Sequence, residues 1–543
     1  AISRAYLPSP TVGYKTQYME YVDTRLSIPD SCEYKNCVIR VTDYTFAPES
    51  TPCVDVYTRS PRSILKLAGG GCVCDFGHEI TGSLCITADG AAGARVNIFC
   101  GEELTDDGRS VRHNMRANCD YSEYFLLGES KTRLEQYDYK AFRYAAVIPA
   151  DGTDVHIEDI TASVRHWRFD EHACTIVSND KVLEAVFNLC KNGVRYGSQE
   201  VFVDCPSREK GQYAGDMTVT ALSHMWLTGD VYLARKALCD QLRSSFICPG
   251  IMAVAPGSYM QEIADYSLQL PILVMRDYEH TRDAGFMRSC VPYLDGMLSY
   301  FAKYERPDGL LDGVSGKWNL VDWPDNLRDG YDFPLTNPIG GGVHNVINAF
   351  YVGALIMTEK IKDILGIAHN DKARLTAESF NRVFFDYERG IYRDSETSVH
   401  SALHSNILAP YFGFAPEGCG TRIADFIMSR GLCCGVYMSF FLLKSLCALG
   451  RYQDAYSLVT STADNSWYNM IREGGSCCFE AWGKEKKWNT SLCHPWASAP
   501  VSVILEDFLG LRPSGSFKPH LPDGIHITAH VPLTLGGHAD IYL

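Results

Sequence analysis

A change in hydrophobic period near residue 170 limits the fold of this chain more than any other feature. Before it, short runs such as Asn36–Thr42, Ala94–Cys100 and Asp154–Ile160 carry β-branched side chains and partial apolar/polar alternation, and they end in clusters of Gly, Pro, Asp or Asn. That pattern predicts strands. No long helical pattern separates them, so an antiparallel β-sandwich is expected at the front of the chain. From residue 178 to 510 the apolar residues recur at helical spacing instead. Val182–Cys190 is the first such run, with Asn179 and Asp180 placed to cap it. Others follow at 216–228, 231–246, 263–278, 283–304, 343–365, 371–385, 400–412, 421–430, 435–449, 452–461 and 496–509.

The joints between these runs are short and polar, as at Leu227–Asp230, His280–Asp283 and Leu449–Asp454. Short joints favour antiparallel neighbours. Roughly a dozen helices paired in this way predict a toroid of six hairpins. A solenoid of helix pairs would share the periodicity, but no strict internal repeat is present. Beyond 511, Gly524–Val531 and His538–Leu543 return to a strand pattern. That tail is too short to hold a core of its own and must pack on something else. The expected division is a β-sandwich region over 1–172, a helical catalytic domain over 173–510 and a short β segment over 511–543.

Composition narrows the function. The 543 residues are 21% charged and 46% hydrophobic, which excludes a disordered, collagen-like or disulfide-stapled chain. Lys plus Arg number 50 against 65 Asp plus Glu, a formal charge of −15, which argues against nucleic acid or an anionic membrane surface as partner. The longest apolar stretch, Leu432–Leu443, is too short to span a bilayer, and residues 1–16 lack the apolar run of a leader. The 21 cysteines are scattered, several inside apolar runs (Cys190, Cys239, Cys447), with no Cys-x-x-Cys. They read as buried thiols rather than zinc ligands, and they predict a reducing, cytoplasmic setting. No His-Glu-x-x-His, Gly-x-Ser-x-Gly or strand-to-helix Gly-x-Gly-x-x-Gly occurs, so a zinc hydrolase, a serine hydrolase and a dinucleotide enzyme are disfavoured. No cofactor and no metal are expected.

The densest polar segment is Phe202–Asp216, with Asp204, Glu209 and Asp216, and with Arg208 and Lys210 beside the glutamate. Pro206, Gly211 and Gly215 mark a shaped loop, a common carrier of catalytic groups. The plain alternative is a solvated loop whose Asp216 caps the next helix. Gly474–Gly483 sets one acid, Glu480, among apolar and aromatic residues, and Trp488, His494 and Trp496 follow. Trp318–Asp325 repeats the combination. Aromatic faces cover the apolar side of a pyranose while carboxylates accept from its hydroxyls. One tryptophan alone is better read as core, but three such clusters point to a sugar site. Glycoside hydrolysis needs two carboxyl groups flanking the scissile bond, one kept protonated by burial or like charge. Two flanking aspartates would raise Glu209, and Arg208 and Lys210 would oppose them unless they point away.

Asp204–Asp216 resembles, through thirteen consecutive positions, the signature of bacterial α-L-rhamnosidases of glycoside hydrolase family 78. Phe479–Trp482 with Ser491–His494 resembles that family's second catalytic segment, and Val321–Pro324 and Tyr139–Tyr144 look like further family features in the right order. The resemblance implies a bacterial protein with an (α/α)6 barrel preceded by β-sandwich domains, hydrolysing terminal α-L-rhamnosyl residues with inversion. By the same resemblance Glu209 is the general acid and Glu480 the general base. Asp204, Arg208 and Asp216 bind sugar hydroxyls, Trp323 stacks on the rhamnose and His494 hydrogen-bonds it. Tyr213 stands where many relatives have tryptophan, and Asp265 and Trp482 are further sugar contacts. Inversion expects the two acting oxygens roughly 6.5–9.5 Å apart. Many members carry extra β-domains and a full C-terminal sandwich. The expectation here is a compact site for small rhamnosides, completed by a second copy in a homodimer. Two alternatives remain open at this point. One is another inverting enzyme on the same barrel, including a phosphorylase whose Gly340–His344 run binds an anion at a helix N-terminus. The other is a non-catalytic sugar-binding protein.

Overall fold

The computed structural model describes residues 7–13, 18–26, 54–257, 261–332 and 342–543. The Asn36–Thr42 run, and residues 340 and 341 of the glycine run, lie outside the described residues. The chain groups into two compact units, Ala1–Phe169 with Pro206–Arg208, and Asp170–Cys205 with Glu209–Leu543.

Among the described residues, the first unit is built on a nine-stranded sheet. Its central strand, Cys72–Gly90, pairs antiparallel with Lys140–Pro149 and Val155–Trp167, and its two ends also pair with Ser63–Lys66 and Thr132–Glu135. Tyr21–Asp23 runs parallel to Ser122–Leu126, and every other pairing of this sheet is antiparallel. Alternation explains the core: Val96, Ile98 and Cys100 of strand Arg95–Gly101 are buried while Arg95 is exposed. The strand expected over Asp154–Ile160 runs further, as Val155–Trp167.

The second unit is mostly helical, with fourteen α-helical segments among the described residues. Asp180 caps the first, its carboxylate accepting from the backbone N–H groups of Val182 and Leu183. Burial alternates along the chain. Lys181–Gly197, Tyr232–Arg243, Ala284–Phe301, Lys372–Phe384, Gly420–Arg430 and Tyr452–Val459 are amphipathic, each with one buried stripe. Between them lie helices buried almost all round, such as Ala214–Thr228, Leu403–Phe412 and Ser439–Ala448. These inner helices close on themselves. Ala214–Thr228 packs on Leu270–Thr281, and that on Asn345–Leu365. Leu403–Phe412, Ser439–Ala448 and Ala499–Val503 follow in turn, the last packing back on Ala214–Thr228.

Two helix expectations differ in detail. The run expected over 263–278 breaks into Ala264–Ser267 and Leu270–Thr281, because Pro271 suits only a first turn. Trp467–Arg472 forms a helix the periodicity did not predict, capped by Ser466. The tail joins the second unit: Ile527–Pro532 pairs with Thr175–Ser178, and His538–Tyr542 completes that three-stranded sheet as an edge. Cys74, Cys100, Cys174, Cys190, Cys290 and Cys447 are buried free thiols, while Cys239 is half-buried. Burial pushes the Cys100 and Cys174 thiols up to about 12, so neither is a nucleophile near neutrality. No helix among the described residues is long and apolar enough to cross a membrane.

Candidate active site

All candidate residues of the second unit share one topological position. Each lies in a connection leading from an outer helix to an inner one, or in the first turn of that inner helix. The connections therefore gather at the N-terminal ends of the inner helices. There, unpaired backbone N–H groups and the helix dipole favour negative charge.

The first connection is a closed loop. Asp204 N–H donates to the Gly211 carbonyl at 2.8 Å, and Gly211 N–H returns to Asp204 Oδ1 at 2.8 Å. This clamp presents Glu209, half-buried, at the loop's far side. Tyr213 Oη donates to Glu209 Oε2 at 2.7 Å. Burial and the carboxylates of Glu209 and Asp204 push the Tyr213 phenol well up, so it stays a donor. Tyr213 is thus the immediate partner of Glu209. Asp216 follows in the first turn of helix Ala214–Thr228 and is buried. Burial, and then the nearby charges of Asp204, Glu209 and Glu480, hold its carboxyl well above the ordinary range. Those influences bring the four acids of two distant segments into one neighbourhood. Gly215 is obligatory here, because any Cβ would overlap the Tyr266 ring. Arg208 is buried and groups with the first unit.

The second segment is a short bridge. Glu480 N–H donates to the Ser491 carbonyl at 3.0 Å, and His494 N–H to the Cys478 carbonyl at 2.8 Å. Both oxygens of Glu480 are engaged. Oε1 meets Lys487 Nζ at 2.5 Å and Oε2 accepts from Ser491 N–H at 2.9 Å. Glu480 and Lys487 are both buried, their side chains 3% and 1% exposed. An ammonium and a backbone donor both stabilise the ionised carboxylate. His494 Nε2 lies 3.2 Å from Asp216 Oδ1, which ties the second segment to the first.

Trp323 is half-buried, and Lys487 Nζ sits 5.6 Å from its ring centroid. Its backbone is held from below by Asp322. That fully buried carboxylate accepts from Trp323 N–H at 2.8 Å and Gly435 N–H at 2.6 Å, and it pairs with His404 Nε2 at 2.7 Å.

Two expected sugar contacts are corrected by the fold. The Trp482 ring is fully buried, donates its indole N–H to the Cys434 carbonyl at 2.5 Å and packs edge-on against Trp467. It is core, with no face left for a sugar. Asp265 is also buried, and its two oxygens accept from the backbone N–H groups of Leu320 and Val321 at 3.0 and 2.8 Å. It holds the loop before Trp323 instead of reaching a ligand, and burial raises its carboxyl to about 6. Of the tryptophans after Glu480, Trp488 is exposed and Trp496 buried against the rings of Tyr437 and His494. Lys487, Asp322 and His404 were not singled out in the sequence. Lys487 closes the charged run Lys484–Lys487, which reads as a solvated face until the fold buries its last member. Asp204, Cys205 and His494 each bring one ligating atom within 4.8 Å of the others, the donor set of a soft cation.

Residues 171–507 match the bacterial α-L-rhamnosidase six-hairpin glycosidase domain, and residues 65–166 the bacterial α-L-rhamnosidase concanavalin-like domain. An α-L-rhamnosidase of Formosa agariphila is 21% identical over 500 residues, covering 84% of this chain and 50% of that protein. The solved family 78 rhamnosidase of Bacillus sp. GL1 is 21% identical with a TM-score of 0.76, over 88% of this chain and 51% of that one. The Streptomyces avermitilis α-L-rhamnosidase, solved with L-rhamnose, is 18% identical with a TM-score of 0.78, over 99% and 53%. The chain therefore spans about half the length of these relatives. With the six-hairpin match alone covering residues 171–507, the chain belongs to the bacterial α-L-rhamnosidase family.

Proposed function

We propose that this protein removes terminal α-L-rhamnose from small rhamnose-containing glycosides with inversion of configuration. The observation that carries the reading is the unequal treatment of two glutamates beside a shared acid cluster. Glu480 is held in its ionised form by Lys487 and the Ser491 N–H, the state a general base needs. Glu209 meets a neutral phenol, that of Tyr213, through one oxygen. Asp204, Asp216 and His494 supply acceptors and a donor for sugar hydroxyls, and the half-buried Trp323 a platform for the ring.

The closed sequence of inner helices, each with an amphipathic partner, supports an (α/α)6 barrel. The long strand that changes neighbours along its length, together with the concanavalin-like match, supports a β-sandwich in the first unit. The test is hydrolysis of an aryl α-L-rhamnoside, with proton NMR following the first anomer released. The reading expects β-L-rhamnose, lost in Glu480→Gln on every substrate. Glu209→Gln should spare substrates with good leaving groups. Turnover on another glycoside alone would overturn the sugar. Binding without any turnover would overturn the enzyme.

A further inference from the structure

The second unit carries a cluster of ligating side chains remote in sequence from the acids described above. It sits on the outward face of the C-terminal hairpin. Strands Ile527–Pro532 and His538–Tyr542 pair so that His530 stands directly opposite Asp540, and Pro532 opposite His538. His538 and Asp540 are two residues apart, so the period of a strand puts them on one face. That face is the exposed one: Ile527, Ala529, Val531 and Ile541 point into the protein.

The three side chains converge on one point. His530 Nδ1 lies 2.7 Å from Asp540 Oδ1, and His538 Nε2 lies 3.3 Å from Asp540 Oδ2. The imidazole centroids are 4.7 Å apart. One ligating atom from each residue lies within 4.8 Å of the other two. A tetrahedral zinc ion with bonds of about 2.0–2.2 Å holds adjacent donors roughly 3.3 Å apart. His530 reaches one oxygen of Asp540 and His538 the other, with one ligating atom of each residue inside 4.8 Å, so closing all three on one ion needs only rotations of partly or fully exposed side chains. The donor set, two imidazoles and one carboxylate, suits a divalent ion of intermediate softness and leaves further positions to water.

We infer that His530, His538 and Asp540 form a surface site for a divalent transition-metal ion of the zinc type, strapping the edge strand His538–Tyr542 to its neighbour. The ion would replace the hydrogen bonds now made to Asp540. It would tie down a strand that, among the described residues, has a pairing partner on one side only. The site is structural: it adds a cross-link to the sheet that leads into the first helix of the unit.

The experiment is equilibrium dialysis of the full chain against Zn2+, together with the visible and near-ultraviolet spectrum of the Co2+ form. Parent, His530→Ala/His538→Ala and Cys205→Ser proteins are compared. The residues at the hairpin are exposed, so the double variant should fold. The inference expects a saturable equivalent in the parent, retained in Cys205→Ser. In the double variant it should be lost or weakened by more than roughly tenfold. The Co2+ bound there should show no thiolate-to-metal band. Two results would overturn it. One is no saturable equivalent in the parent. The other is binding unchanged in the double variant, and a thiolate band that disappears in Cys205→Ser would then place the ion at the Asp204–Cys205–His494 cluster.

Discussion

Replacing Lys487 by methionine tests the electrostatic reasoning most directly. Methionine keeps the length and apolar stem of the side chain and removes the charge. At the observed 2.5 Å, and with an effective dielectric constant of 20, the attraction between Lys487 and Glu480 is about 7 kcal/mol before desolvation. Burying both ions offsets several kcal/mol of this. What remains for the ionisation of a carboxyl is the usual effect of an adjacent cation, about 1–3 pKa units or about 1.4–4 kcal/mol. The sign is fixed by the role. A general base works ionised, and removing the cation makes it hold its proton to higher pH. The acid limb of kcat/KM for an aryl α-L-rhamnoside should therefore move up by about 1–3 pH units, with activity largely recovered above it. The same change leaves a buried carboxylate without its cation at high pH but neutral at low pH. Lys487→Met should thus be destabilised more in urea at about pH 8 than at about pH 5, with breakage of a buried pair setting a ceiling of about 3–5 kcal/mol. An unmoved acid limb in a folded variant would refute the assignment of Glu480 as a base held ionised by Lys487.

Other substitutions separate the remaining roles. Tyr213→Phe removes a hydrogen bond to Glu209. A hydrogen bond contributes about 0.5–1.5 kcal/mol net, so kcat/KM should fall by up to about tenfold, and more steeply on substrates with poor leaving groups. Asp216 has a carboxyl raised well above 3.8 in the folded state, so the native protein binds more protons than the unfolded chain as pH rises past that value. Stability therefore falls with pH across that window, and it does so less in Asp216→Asn. The advantage of that variant over the parent in urea should grow from about pH 4 upward while kcat/KM drops. A constant stability difference across pH would refute the burial argument. Asp265→Asn turns one acceptor into a donor facing a backbone N–H, at a cost of about 1–3 kcal/mol in stability. Displacement of the loop before Trp323 should raise KM without moving either limb of the pH profile.

Much of this molecule is written in local pattern. The strand and helix periods separate the two kinds of structure near residue 170, and Asp180 announces the first helix by its capping chemistry. The Asp204–Asp216 loop and Glu480 stand out as acids in shaped, aromatic surroundings. Local pattern also identifies the tail as strand, but its partner Thr175–Ser178 lies some 350 residues upstream, and nothing within either segment names the other. The same limit governs the site. Trp323 and Trp482 have similar neighbours in sequence, yet one stays half-buried and the other is fully buried with its N–H taken by the Cys434 carbonyl. Asp265 looks like a ligand-binding acid until two backbone N–H groups from the 320–321 loop consume its oxygens. Lys487 looks like a solvated charge until the fold seals it against Glu480. Propensity and periodicity act over a few bonds and are legible in the sequence. Burial and charge pairing are set by what arrives from elsewhere in the chain, and only the tertiary structure decides them.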